Sequence, residues 1–181
     1  MWNTLTIQMI VVLIGYMASG KSIVGKHLAS LLNFNYIDLD LYIENQEGQS
    51  INDIFETKGE IYFRKQESLY LNSLLESGTK TVLALGGGTP CYGSNIDLIK
   101  SNVNTTSIYL KATITTLVDR LKNETDNRPL VKRLSDETLL SEFIGKHLFE
   151  RRFYYEQAEH TINTDNKSVN QISEEIVAKL F

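Results

Sequence analysis

GYMASGKS, residues 15–22, stands directly after the apolar run Met9-Ile10-Val11-Val12-Leu13-Ile14 and opens a stretch of helical period, Ser22–Leu32. It fits the pattern Gly-x-x-x-x-Gly-Lys-Ser in full, at Gly15, Gly20, Lys21 and Ser22. A strand that feeds a glycine-rich turn opening a helix is the setting in which this pattern has a mechanism. Glycine at both ends lets the backbone wrap closely. Successive N–H groups, those of Ala18 and Ser19 among them, and the helix N-terminus then converge on the β- and γ-phosphates. Lys21 adds a point charge for the transferring phosphoryl oxygens, and the Ser22 hydroxyl a ligand for Mg²⁺. The stretch predicts a nucleoside triphosphate site. GTPases, ATPases and small-molecule kinases share such a loop, so the acceptor stays open.

Outward from the loop, short apolar runs alternate with longer stretches of helical period, the pattern of a doubly wound α/β sheet. Strands are expected at Ile7–Ile14, Asn35–Ile37, Thr81–Leu85, Thr106–Leu110 and His160–Asn163. Helices are expected at Ser22–Leu32, Ser50–Glu56, Glu60–Leu75, Ile96–Lys100, Ile114–Lys122, Leu139–Glu156 and Val169–Leu180. The polar segment Asn123–Asp136, with Arg128-Pro129, reads as an excursion from the body. With 181 residues and no repeat, low-complexity tract or linker, one domain over 1–181 is expected.

Composition narrows the partners. The chain is 42% apolar and 22% charged, and no segment approaches the roughly 20 apolar residues of a membrane span. Leu5–Ile14 has no Lys or Arg before it and no small-residue cleavage pattern after it, which argues against a signal peptide. A net charge of −4 gives no general pull on nucleic acid or on an anionic membrane. The single cysteine, Cys91, excludes an internal disulfide framework and points to the cytoplasm. Cys91 is expected to be a partly buried bystander, and His27, His147 and His160 lack metal-ligand spacing.

Three further groups could hold an acceptor. Asp38-Leu39-Asp40 follows the second strand, and i, i+2 spacing in an extended segment would aim both carboxylates at one site. One could support Mg²⁺ and the other a hydroxyl, or the pair could be a helix cap. Glu60, Arg64 and Glu67 share a helix face. They make either a surface ion-pair ladder or an arginine oriented by Glu67 toward a substrate carboxylate. Gly86-Gly87-Gly88 ends the third strand, where three glycines suit close approach to a ligand better than a simple turn.

The phosphate loop, Asp-x-Asp, Gly-Glu-x-x-Phe-Arg at 59–64, the triple glycine, Arg128-Pro129-Leu130, and an arginine before Tyr-Glu-Gln-Ala follow in that order. The ordered set resembles shikimate kinase from about Ile10 to the end; gluconate and adenylate kinases share only the first motif. The resemblance implies a P-loop NTPase-type three-layer sandwich, with a five-stranded parallel sheet, helices on both faces, a mobile lid near 123–136 and an acceptor region near 38–75. It implies an ATP-dependent kinase, monomeric, that phosphorylates the 3-hydroxyl of shikimate on the route to chorismate and the aromatic amino acids. In it Lys21 and the loop amides hold ATP, Ser22 and Asp38 serve Mg²⁺, and Asp40 binds the acceptor hydroxyls. Arg64 holds the carboxylate, Gly86, Gly87 and Gly88 line the ring, and Arg128 reaches the phosphates from the lid. Arg120 packs on adenine, with the loop Asn163–Ser168 opposite.

The second carboxylate-binding arginine departs from the family pattern, Arg-x-Pro-x-Tyr with alanine four residues on. Here the segment reads Glu150-Arg151-Arg152-Phe153-Tyr154-Tyr155-Glu156-Gln157-Ala158, without the proline. Alignment on Tyr155 selects Arg151 and puts alanine only three residues on; alignment on Tyr154 puts Glu150 at the arginine position. A glutamate cannot hold a carboxylate, so Arg151 is chosen, with Arg152 as the fallback. Neighbours on a helix stand about 100° apart, and only one of them can face the site.

Overall fold

The computed structural model describes residues 9–77, 80–122 and 136–181. Five strands, β1 (Ile10–Ile14), β2 (Asn35–Asp38), β3 (Thr81–Ala84), β4 (Thr105–Lys111) and β5 (His160–Asn163), form a sheet ordered β2-β3-β1-β4-β5. All neighbouring pairs are parallel. The helices are α1 (Lys21–Leu32), α2 (Leu39–Glu47), α3 (Ile51–Glu76), α4 (Asn95–Ser101), α5 (Ile114–Lys122), α6 (Glu137–Tyr155) and α7 (Val169–Leu180). A single 3₁₀ turn, Thr89–Cys91, follows the triple glycine.

The central strand explains why its sequence is apolar without alternation. All five residues of β1 are at most 1% exposed. Successive side chains still point to opposite faces: Ile10, Val12 and Ile14 join the core shared with α2 to α6. Val11 and Leu13 join the core beneath α1 and α7, with Leu28, Ile172 and Ile176. A parallel strand covered on both sides can afford no polar face. The α/β layering matches the fold that the loop and the alternation predict.

Several boundaries move. The first strand begins at Ile10 rather than Ile7; Ile7 lies outside the described residues, and Met9 is not in the strand. The two helices expected at Ser50–Glu56 and Glu60–Leu75 run as one element, α3, bent at Gly59, where φ is 81° and ψ 168°. Helix α2 is not foreseen from periodicity, since only Leu39 and Ile43 of its residues are buried. Of the lid segment 123–136, only Asp136 is described: it caps α6, its carboxylate accepting from Thr138 N at 2.7 Å. Arg128 lies outside the described residues.

The strand order reverses at β1, between β3 and β4, so a crevice opens at the carboxyl ends of these strands. The phosphate loop follows β1 and the triple-glycine loop follows β3, which brings both to that crevice.

Candidate active site

Residues 15–20 join β1 to α1, with Gly20 in a left-handed conformation (φ 100°) at the helix N-cap. Lys21 Nζ donates to Gly15 O at 2.8 Å and to Tyr16 O at 2.9 Å, so the ammonium closes the loop onto itself. Ser19 N donates to Tyr16 O at 3.2 Å. The loop lines a cavity of about 620 Å³ together with Asp38, Asp40, Gly86, Gly87, Arg120, Lys167, Val169 and Ile172.

Asp38 and Asp40 both reach this cavity, but not as a pair on an extended segment. Asp38 is the N-cap of α2: its Oδ1 accepts from Asp40 N at 3.1 Å and from Leu41 N at 3.4 Å. Its Oδ2 accepts from Ser22 Oγ and from Tyr36 OH, each at 3.3 Å. Orphan amides at the start of a helix outcompete strand extension here, because a carboxylate satisfies two of them at once. Asp40 sits in the first turn. Burial first, then the charges of Asp38 and Glu67, push its carboxyl up to about 6, against the pull of Lys21 and Arg64.

The triple glycine packs against three of the expected acceptor residues in turn. A Cβ at Gly86 would lie 2.8 Å from Asp40 Oδ1, and one at Gly88 would lie 3.2 Å from both terminal nitrogens of Arg64. At Gly87 a Cβ would stand 3.8 Å from a terminal nitrogen of Arg151 and 3.5 Å from Met17 N of the phosphate loop. Asp40, Arg64 and Arg151, from three helices, thus meet one backbone segment.

Arg64 is held firmly. It donates to Glu67 Oε2 at 2.8 Å, its Nε lies 3.5 Å from Glu60 Oε1, and its guanidinium stacks 3.8 Å over the Tyr92 ring. Glu67 is 1% exposed and also accepts from Thr89 Oγ1 at 2.6 Å. The ladder of ion pairs exists, but Glu67 is buried, so it is not a surface ladder, and it fixes the position of the Arg64 guanidinium. Arg151 stands 5.8 Å over the Tyr16 ring, whereas Arg152 is exposed and paired with Glu156 at 2.7 Å. Tyr155, fully buried, donates its hydroxyl to Gly87 O at 2.5 Å.

Arg120, expected at the adenine, donates to Ala18 O at 3.0 Å and to Thr164 O at 3.1 Å. It therefore ties the phosphate loop to the segment Asn163–Ser168. Lys167 in that segment is paired with Glu175 at 2.6 Å. The histidines make local contacts: His27 with Ser173, His160 near Glu159, and His147 with Tyr16. Burial pushes the Cys91 thiol up to about 11, which keeps it protonated and a poor nucleophile. Among the described residues no group of three His, Cys, Asp or Glu side chains is placed to hold a metal ion.

Sequence reasoning did not single out Thr89, Tyr92, Val169 and Ile172 at the site, and took Thr164 and Lys167 only as part of the loop Asn163–Ser168. Thr89 and Tyr92 continue the glycine loop, which was a usable signal. Val169 and Ile172 come to the cavity through α7, which packs beside α1.

Comparison with known proteins agrees with this geometry. The shikimate kinase family model matches residues 17–181. The chain is 47% identical over 171 residues to the shikimate kinase of Flavobacterium psychrophilum, covering 94% of this chain and 98% of that one. The crystal structure of shikimate kinase from Bacteroides thetaiotaomicron superposes with a TM-score of 0.85 at 29% identity, over 95% of this chain and 98% of that one. The solved structure of shikimate kinase from Acinetobacter baumannii in complex with shikimate gives 0.83 at 32% identity, over 97% of this chain and 94% of that one. On the match across nearly the whole length, with the phosphate loop and the glycine loop at one crevice, the chain belongs to the shikimate kinase family.

Proposed function

We propose that the protein transfers the γ-phosphoryl group of ATP to the 3-hydroxyl of shikimate, giving shikimate 3-phosphate and ADP. The observation that carries this reading is the convergence of Asp40, Arg64 and Arg151 on the glycine loop whose first two residues line the phosphate cavity. One carboxylate and two guanidinium groups suit an acceptor that bears hydroxyls and a carboxylate.

In the reaction the acceptor oxygen bonds to the γ-phosphorus and the bond from that phosphorus to the bridging oxygen of ADP breaks. The hydroxyl proton leaves to Asp40 or to water. Lys21 and the loop amides stabilise charge on the transferring group, and Arg64 with Arg151 fix the acceptor through its carboxylate, so that catalysis is mostly positioning and electrostatics. Arg128 is assigned to the phosphates, and residues 123–136 to a lid that excludes water, on the family resemblance alone. Arg120 is assigned to the adenine together with the segment Asn163–Ser168, to which it is bonded at Thr164 O.

Mg²⁺ fits the oxygen donors present. Ser22 Oγ and Asp38 Oδ2 lie 3.3 Å apart at the cavity, and a cation that keeps its waters and takes the rest of its ligands from phosphates needs no larger protein cage. When bound it would neutralise charge on the phosphates. We further propose that residues 1–181 form a single kinase domain acting as a cytoplasmic monomer in chorismate and aromatic amino acid biosynthesis. Among the described residues no helix is long and apolar enough to cross a membrane.

ADP release with Mg²⁺-ATP, measured with shikimate, with gluconate and without acceptor, tests the reading. Release that depends on shikimate is expected. Equal release with gluconate would transfer the assignment to another polyol acid, and release indifferent to acceptor would reduce the site to nucleotide binding.

A further inference from the structure

Helix α6 touches the site along one ridge. Phe143, His147, Arg151 and Tyr155 follow at four-residue spacing, the row that runs obliquely along a helix surface. Tyr155 bonds the glycine loop at Gly87 O, and Arg151 lies over the Tyr16 ring. His147 Nδ1 is 3.1 Å from Tyr16 OH. Phe143 backs the imidazole, with ring centroids 4.2 Å apart. Tyr16 is only 1% exposed and is itself part of the phosphate loop, its carbonyl accepting from Lys21 Nζ at 2.9 Å. One ring therefore carries an imidazole on its hydroxyl, an arginine over its face and the phosphate-loop lysine on its backbone.

We propose that His147 is a positioning residue: through its hydrogen bond to Tyr16 it holds the aromatic platform on which Arg151 rests, and so sets the acceptor's carboxylate site relative to the phosphate loop. The inference rests on the proposed role of Arg151 toward a carboxylate acceptor. Arg151 has no buried carboxylate such as Glu67 beside it: it is hydrogen-bonded to Tyr155 one turn on and lies 5.8 Å from the centre of the Tyr16 ring, whose hydroxyl another turn of the same helix holds. A neutral imidazole serves on either side of the Tyr16 hydroxyl, as acceptor or as donor. Burial and the neighbouring Arg151 hold the His147 imidazole below its ordinary range.

The test uses His147→Leu, His147→Asn, Tyr16→Phe and the double variant His147→Leu/Tyr16→Phe. Asparagine places an amide atom where Nδ1 stands. Wild-type turnover with shikimate is established first; its absence would overturn the acceptor reading itself. With turnover present, His147→Leu is expected to raise the KM for shikimate about five- to tenfold, the scale of one lost hydrogen bond. The KM for ATP should change less than about twofold, while Tm falls by about 2–8 °C because the buried Tyr16 hydroxyl loses a partner. His147→Asn should recover most of the loss. Tyr16→Phe should reproduce it, and the double variant should add nothing further. An unchanged KM for shikimate in His147→Leu, an equal rise in both KM values, or additive losses in the double variant would each overturn the proposal.

Discussion

At Asp40, burial and two neighbouring carboxylates oppose ionisation, and the consequence is a pH-dependent stability. Its carboxyl is pushed up to about 6, against about 4 for an ordinary aspartate. The folded state therefore binds more protons than the unfolded chain between these values. The stability this confers is fully present below about pH 4 and is lost as pH rises through 6. Asp40→Asn removes the charge at constant shape. In the metal-free protein it should raise Tm at about pH 8 by roughly 2–4 °C, and the gain should vanish near pH 4. Calorimetry at the two pH values checks this, and a gain of equal size at both would refute the assignment. The arginines make a second prediction at the same scale. Arg64→Ala and Arg151→Ala should each raise the KM for shikimate about 30-fold or more with little effect on ATP, since each truncation leaves a carboxylate without its partner. Arg152→Ala should stay within about twofold, because an exposed pair such as Arg152–Glu156 contributes little. Steady-state kinetics with either substrate varied decides both.

Helix α3 shows how an element serves the site by bending. Gly59 adopts φ 81° and ψ 168°, a conformation open almost only to glycine, and nothing lies within 4 Å of the position a Cβ would take. On either side of the bend, Lys58, Tyr62 and Tyr70 all donate to Glu47 of α2, at 3.0, 2.8 and 3.0 Å. The bend and this shared carboxylate aim the segment that carries Arg64 and Glu67. Gly59→Ala should therefore cost about 1–3 kcal/mol by backbone strain alone and lower Tm. Gly86→Ala behaves differently: its Cβ would press on Asp40 Oδ1, so kcat/KM for shikimate should fall well beyond any change in Tm. Thermal melts and kinetics on the two variants separate a fold glycine from a site glycine. Equal ranking of the two by both measurements would contradict it.

Across the whole molecule the two cores share one sheet, so neither can be lost alone. Leu13, fully buried in the middle of β1, belongs to the α1 and α7 core, while Val12 beside it belongs to the other. Leu13→Ala should cost about 2–5 kcal/mol, and denaturant unfolding should remain a single transition, with far-UV circular dichroism and tyrosine fluorescence coincident. Separate midpoints would show that the layers unfold independently. The amino-acid sequence by itself determined the α/β alternation, the phosphate loop, helices α5 and α7 and strand β5 to the residue, because these depend on local pattern and backbone chemistry. It could not decide that Asp38 caps a helix, that α3 runs on through Gly59, or how Asp40, Arg64 and Arg151 relate to one another. Nor could it find the link between His147 and Tyr16, 131 residues apart. Those are contacts between segments distant in the chain, and their geometry is set by how helices pack on a twisted parallel sheet, which only the tertiary structure decides.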